Sequence, residues 1–339
     1  MSAGAPSRLP TLETVAAEAG VSRATVSRVV NHMANVSPAV REQVEAAVAR
    51  LAYVPNRAAR SLVTRRTGSV AVVLREPVDF GVGDPYLASL VVAAGHALLG
   101  TGTHMVVLMA PADDQDAWFG NFLRSGVADG VLLLSTHDGD PLPQELVRAR
   151  IPLVVAGRLP RRMAGTTVVD VDNVAGGRAA ADRLLSTGRT RVGAIAGPPD
   201  MPAATDRLSG FRDALAAASR PTDILAYGDW TRASGERAAA ELLAREPELD
   251  GLFVANDTMA IGAIRALHRA GRRIPDDVGV IGFDDIDIAA DTDPPLTTIR
   301  QPAAEMARTM IDLLLRRITG EDVPDVVTLA TELIVRSSG

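Results

Sequence analysis

Apolar residues follow two different rhythms along this chain. Up to about residue 55 they recur every three or four positions, the spacing of one buried helix face. From residue 69 onward, unbroken apolar runs of five or six residues alternate with helix-length amphipathic stretches. Strands buried on both faces of a parallel sheet read this way when helices connect them.

The first rhythm predicts three short helices. Thr11 suits the N-cap of LETVAAEA, with Glu13 in the first turn and Gly20 just past the end. Ser22 caps a second helix, RATVSRVVN, in which Val26, Val29 and Val30 form the buried side. Arg23, Ala24, Ser27, Arg28 and Asn31 are left on another side. Ser37 caps a third helix, with Pro38 at its first position and Val40, Val44, Val48 and Leu51 on one face. A helix, a tight turn containing Gly and a second helix make the helix-turn-helix arrangement. An exposed face of Arg, Ser and Asn suits base edges and phosphates in a major groove, and the free N–H groups at the start of such a helix suit a phosphate. The competing reading is a small three-helix bundle that binds no DNA.

The second rhythm runs through SVAVVL (69–74), HMVVLM (104–109), GVLLLS (130–135) and IPLVVA (151–156), with helices near 86–99, 115–125 and 141–149. A second series is expected to begin at TTVVDV (166–171). It continues through RVGAIAG (191–197), DILAYG (223–228), GLFVAN (251–256) and VGVIGF (278–283), with helices near 174–187, 205–218, 231–245 and 257–270. Two series predict two doubly wound parallel-sheet lobes. The N-lobe would take 67–163 and 296–325, and the C-lobe 164–295 and 326–339. The last helix (301–319) and the final segment (326–336) would return through both. Ligands of such folds bind beyond the carboxyl ends of the strands, here in the cleft between lobes.

Charge separates the two parts. Residues 1–66 carry nine Arg against four Glu, a net +5, and the remaining 273 residues carry 26 Arg against 37 acids, a net −11. A basic head on an acidic body suggests a polyanion-binding module joined to something else. The chain has no cysteine, which excludes a disulfide scaffold, a thiolate metal site and a cysteine nucleophile. No two of its five histidines stand at metal-ligand spacing, so neither metal nor cofactor is expected. The first twenty residues lack a continuous apolar stretch of the signal-peptide kind, and no apolar run reaches the roughly 18 residues of a membrane span. A cytoplasmic location without a membrane partner follows as the expectation.

The stretch TLETVAAEAGVSRATVSRVVN, followed by VSPAVREQVEAAVARLAYVPNRAARSL, closely resembles the lactose-repressor (LacI/GalR) family of bacterial transcription regulators. AGVS, TVSRVVN, the VS before the third helix and L-x-Y-x-PN-x-A-x-x-L carry the likeness, which runs on through almost the whole chain. The resemblance implies a helix-turn-helix DNA-binding domain over 1–55, a hinge helix or linker over 56–66 and a periplasmic-binding-protein-like effector core over 67–339. The second helix would be the recognition helix, capped by Ser22. Arg23 and Ala24 would set operator preference, and Arg28 would read a base, with guanine favoured by bidentate geometry. Thr25, Ser27, Asn31 and Asn35 would touch phosphates or assist. Thr11, Leu12 and Tyr53 would position or pack. Asn56 opens the hinge segment 56–63, where Leu62 stands at the position of an apolar wedge and Ala59 permits close approach. Seven or eight residues cannot hold a helix alone in water, so folding on DNA suits a segment this short. A solvated linker is the plainer reading of the same residues.

The resemblance also marks seven strand-end residues as effector contacts: Tyr86, Arg158, Arg207, Trp230, Asn256, Asp284 and Gln301. Planar donors, carboxylates and amides around an aromatic face are what a polyol needs. Several have plainer readings: Arg158 as a surface ion pair, Asn256 as the cap of DTMAIGAIRAL and Tyr86 as core packing. The chain departs from the family pattern in two places. Gly157 stands where sugar-binding relatives often carry Asp, and the loop 76–86 is longer than usual.

The implied function is a DNA-binding repressor, dimeric on a pseudo-palindromic double-stranded operator and controlled by a small-molecule, sugar-like effector. A homodimer is expected because no leucine heptad follows Arg336. An effector-independent global regulator is the alternative. An enzyme is not expected: the chain has no Gly-rich phosphate loop, no G-x-S-x-G elbow and no His placed as a base, although Asp284 and Asp285 form an acidic pair.

Overall fold

The structure is a computed structural model and describes residues 10–30, 33, 35–54, 66–77, 83–109, 117–159 and 161–339. The chain divides into two compact units, Met1–Thr67 and Gly68–Gly339.

The first unit holds α1 (Leu12–Glu18), α2 (Arg23–Val30) and α3 (Pro38–Arg50). Thr11 caps α1 through a reciprocal box in which its hydroxyl accepts from Thr14 N and Thr14 Oγ1 accepts from Thr11 N. Gly20, at φ +62°, ends it, with Gly20 N donating to Ala17 O and Val21 N to Ala16 O. That is the Schellman closure, which requires a left-handed residue at this point. Val15, Val26, Val29, Val44, Ala47 and Tyr53 form the buried core, with Val30, Val40, Val48 and Leu51 packed against it.

The second unit contains two six-stranded sheets. The first has the order β11-β5-β4-β3-β1-β2, built from β1 (Ser69–Leu74), β2 (His104–Met109), β3 (Gly130–Leu134), β4 (Leu153–Ala156), β5 (Thr166–Val171) and β11 (Val326–Leu329). All its neighbours run parallel. Its helices are α4 (Pro85–Ala97), α5 (Ala117–Phe122), α6 (Leu142–Arg148) and α11 (Ala303–Thr319). The second sheet has the order β12-β10-β9-β8-β6-β7. It comprises β6 (Val192–Ala196), β7 (Leu225–Tyr227), β8 (Gly251–Val254), β9 (Gly279–Asp284), β10 (Thr297–Arg300) and the antiparallel edge β12 (Glu332–Ile334). Around it lie α7 (Asn173–Ser186), α8 (Pro202–Ala217), α9 (Arg232–Arg245) and α10 (Asp257–Arg269).

The unbroken apolar runs reflect burial on both faces. Val70, Val72 and Leu74 of β1 face α4 and α11, while Ala71 and Val73 face the layer of Phe119, Leu123, Leu142 and Leu146. The second sheet does the same, with Ile195, Leu252 and Val254 on one face and Ala194, Phe253 and Ile281 on the other.

The lobe boundaries differ from the sequence expectation. TTVVDV does not open the second lobe: it pairs with β4 in the first sheet, and Val169 and Val171 bury against α11. Residues 326–329 pair with β5 in the first sheet rather than in the C-lobe, and residues 297–300 pair with β9 in the second rather than the first. Strand–helix alternation reports which segments are strands, and the pairing partner is decided by packing that alternation does not encode. The chain therefore crosses between lobes three times, from β5 to α7, from β10 to α11 and from β11 to β12.

Candidate functional site

In the helical unit, α2 buries Val26 and Val29 and leaves Ser22, Arg23, Ala24 and Arg28 exposed, with Thr25 and Ser27 half-buried. Ser22 Oγ accepts from Thr25 N at 3.1 Å and so caps α2, as expected. Arg23 Nε lies 3.0 Å from Glu13 Oε1, and both side chains are exposed. Thr11 is the α1 cap, Leu12 and Tyr53 pack into the core, and Asn35 is exposed. Asn31, Asn56, Ala59 and Leu62 lie outside the described residues.

The second unit has a cavity of about 740 Å³ between its lobes, partly open to solvent. All seven residues marked from the sequence line it: Tyr86, Arg158, Arg207, Trp230, Asn256, Asp284 and Gln301. The strands deliver them. Asn256 follows β8, Asp284 ends β9, Gln301 follows β10, and Arg207 projects from α8, which follows β6.

Arg207 is the centre of a buried network. Its Nε donates to Asn173 Oδ1 at 2.8 Å, and its Nη1 donates to Ala255 O at 2.6 Å and to Asp284 Oδ1 at 3.4 Å. Its guanidinium lies 3.7 Å from the Phe283 ring centroid and 5.7 Å from that of Trp230. Gln301 Nε2 donates to Asp284 Oδ1 at 2.6 Å, and Tyr86 OH donates to Gln301 Oε1 at 2.9 Å. Asn256 caps α10, its Oδ1 accepting from Met259 N, while it also lines the cavity and its Nδ2 donates to Trp230 O.

Asp284 and Asp285 adopt φ +112° and +57°, a backbone that non-glycine residues rarely take. Clamps on either side hold it. Asp257 Oδ2 accepts from Ile286 N at 3.0 Å, and Arg300 and Arg336 grip Asp285 at 2.7 and 2.6 Å. The acidic pair is thus divided between a cavity wall and a structural ion cluster. Burial pushes Asp284 up to about 7, with Arg207 pulling the other way. The buried Tyr86 phenol is raised as well.

Arg158 lines the cavity wall, but its guanidinium makes two 2.8 Å bonds to Asp206, from β4's end in one lobe to α8 in the other. The ion-pair reading holds for it, with the pair spanning the lobes. His137 makes a second bridge, with Nε2 3.1 Å from Glu76 Oε1 and Nδ1 2.7 Å from Asp200 Oδ2.

Sequence reasoning missed Asp84, Asp170, Asn173, Thr136, Met201 and Met306, which also line the cavity. Asp170 lines the same cavity as Gly157, whose N donates to the neighbouring Val169 O. Burial raises it to about 6. Its signal was a lone carboxylate near the end of an apolar strand. Asp84 is the N-cap of α4, ahead of Pro85, and burial raises it too.

Residues 11–56 match the model for bacterial regulatory proteins of the lacI family, and residues 181–339 match a periplasmic binding protein-like domain. Over 338 residues the chain is 47% identical to the HTH-type transcriptional regulator CelR of Thermobifida fusca, covering 98% of this chain and 99% of that one. The chain belongs to the LacI family. LacI-family relatives of this kind are transcriptional regulators and not enzymes, and this chain is a DNA-binding transcriptional regulator of that family. A solved structure of a CelR–cellobiose complex superposes with a TM-score of 0.76 at 44% identity, covering 97% of this chain and all of that one. The lac repressor dimer bound to operator and the anti-inducer ONPF superposes with a TM-score of 0.85 at 28% identity, covering 98% and 99%. No helix among the described residues is long and apolar enough to cross a membrane.

Proposed function

We propose that the chain is a homodimeric repressor whose operator affinity is set by a sugar of the glucose-disaccharide class, bound between the lobes of its second unit. The inter-lobe cavity carries this reading. It combines a buried guanidinium, three carboxylates (Asp84, Asp170 and Asp284), three amides (Asn173, Asn256 and Gln301) and an indole, the donors, acceptors and apolar face that a polyol needs. The relative whose complex holds cellobiose supports the choice of sugar. On the DNA side, Arg23, Ala24 and Arg28 read bases, Thr25, Ser27, Asn31 and Asn35 hold phosphates or assist, and the hinge over 56–66 folds on a pseudo-palindromic operator with Leu62 as the wedge. Effector and operator then affect each other's affinity by the same factor.

The test begins with the purified protein and sheared DNA of its own genome. Retained fragments should share a pseudo-palindrome, and cellobiose titrated against that site should shift the protein's affinity for it at least five-fold in one direction. Fragments without a shared motif, in the presence and absence of cellobiose, refute the repressor reading. A shared motif with no response to cellobiose, glucose or other disaccharides refutes the sugar.

A further inference from the structure

A second cavity opens beside the first, and nothing assigned so far uses it. It encloses about 1160 Å³, including open solvent, and it too lies beyond the carboxyl ends of strands. Pro77, Arg75 and Glu76 follow β1; His137, Asp138, Gly139 and Asp140 follow β3; Pro198 and Asp200 follow β6; and Asp229 and Thr231 follow β7. Both cavities are lined by Met201 and Trp230.

Those two residues belong to both linings and touch each other. Trp230 Nε1 donates to Met201 Sδ at 2.9 Å, and Trp230 is held at φ +68°, unusual for so bulky a side chain. Gly197 makes the room for it: a Cβ there would lie 2.3 Å from the indole. The strained backbone thus seats one aromatic group in the lining of both cavities. Strain of this kind persists only where the surroundings over-determine it.

The second cavity shares two features with the first, carboxylate acceptors and apolar faces. Glu76, Asp200 and Asp229 offer carboxylate acceptors, His137 an imidazole, and Pro77, Pro198, Met201 and Trp230 apolar faces. The His137 bridge between Glu76 and Asp200 ties the lobes together along its wall, and Asp138 N donates to Asp200 O at 2.7 Å beside it. The arginine in the lining, Arg75, is buried and paired with Asp140 at 2.8 Å, and His137 there is held between Glu76 and Asp200.

We infer that the second cavity is a subsite for the second ring of a disaccharide effector, whose first ring lies against Arg207 and Asp284. The inference rests on the sugar-effector reading above. Trp230 and Met201 then sit at the glycosidic junction, and a monosaccharide fills the first cavity alone.

The test uses the full chain, with glucose and cellobiose as probes in calorimetric titrations. Asp138 is exposed on the rim of the second cavity and is not part of the first. Asp138→Trp is expected to fill the second cavity. Cellobiose affinity should fall at least ten-fold while glucose affinity stays within two-fold. Pro198→Trp, from the opposite lobe, should do the same and guards against misfolding of the first variant. Unchanged operator binding and melting temperature show that each variant is folded. If both folded variants keep the wild-type ratio of cellobiose to glucose affinity, the subsite is overturned and the sugar reading survives. If the wild-type protein binds neither sugar, the sugar reading fails and the subsite with it.

Discussion

Replacing Arg207 with Ala tests the cavity's electrostatics and not merely its occupancy. Arg207 is 5% exposed, and its removal strands three partners at once: Asn173 Oδ1, the Ala255 carbonyl and Asp284. Leaving a buried acceptor without its donor costs about 1–3 kcal/mol, so stranding these three gives a loss of about 3–5 kcal/mol once their surroundings relax. At the usual slope for a domain of this size that is a fall in Tm of about 6–20 °C. The pH dependence is the sharper test. Asp284 titrates near 7 in the folded protein, above its ordinary value, so the neutral form is the favoured one and ionisation costs stability. In the wild type that loss accumulates as pH rises from about 4 to about 7 and then stops. Without Arg207 an influence that lowers the Asp284 pKa is gone, so the loss continues above pH 7 at about 1.4 kcal/mol per pH unit. Calorimetric scans should therefore show a Tm gap between variant and wild type that is constant from pH 5 to 6.5 and widens by several degrees at pH 8.5. Sugar binding should be lost at every pH, while operator affinity without sugar is retained at 20 °C. A gap below about 1 °C, or one independent of pH, refutes the assignment of Arg207 as the charge partner of Asp284.

Other outcomes follow from the same structure. His137, raised to about 9 mainly by its hydrogen bond to Glu76, contributes fully below its unfolded value near 6.5 and loses that contribution as pH rises through 9. The shift sets a ceiling of about 3 kcal/mol, which solvent beside the half-exposed Asp200 cuts to about 1–2 kcal/mol. His137→Gln should lower Tm at pH 6 and match the wild type by pH 10; a gap that persists at pH 10 counts against the bridge. Gly177 of α7 lies where a Cβ would come within 1.9 Å of Arg207 O, so Gly177→Ala should lower Tm by many degrees and weaken sugar binding. Gly95→Ala in α4 meets only the flexible Met105 side chain at 3.4 Å and should raise stability by about 0.5–1 kcal/mol, or leave it unchanged. Thr11→Ala should cost the helical unit about 1 kcal/mol and leave the melting of the second unit where it was, as two-transition calorimetry would show.

The legible part of this protein was the part written locally. Caps at Thr11 and Ser22, the left-handed Gly20 and the apolar runs of β1 and β3 each depend on neighbours a few residues away, and each reads directly from the chain. The seven cavity residues were marked by the resemblance to the family, and most of them lie at or just beyond the carboxyl ends of strands, the edge where a doubly wound sheet places its ligand. What stayed hidden depends on packing at a distance. Nothing in TTVVDV says that it will pair with β4, and the four residues of β10, set between prolines, give too short a pattern to mark a strand. Asp84 and Asp170 escaped notice for a related reason: a carboxylate that caps a helix or interrupts a strand has a sufficient local explanation, and only the fold shows that both reach one cavity.

The lobe crossings and the cavity network occupy the same residues, and this bears on how a ligand could act. Asp170 ends the first lobe's β5 and Asn173 opens α7, one on each side of the first crossing; Asn173 Nδ2 donates to Asp170 Oδ1 at 3.0 Å. Gln301 lies on the second crossing and holds both Asp284 and Tyr86. The third crossing is tied to the first by Asp172 N, which donates to Leu329 O at 2.9 Å. From Tyr86 the chain of bonds runs through Gln301, Asp284, Arg207 and Asn173 to Asp170, touching two of the three crossings. A polyol that takes a hydrogen bond from Arg207 or gives one to Asp284 competes directly with Asn173 and Gln301 for those groups. It must therefore favour one set of crossing conformations over another, because its contacts differ between them. A ligand held only by Trp230 and Met201 would lack that leverage. Under the proposed sugar reading, the groups that would meet a hydroxyl, Arg207 and Asp284, belong to the same hydrogen-bond chain that ties the crossings, so binding would need no long relay to reach them.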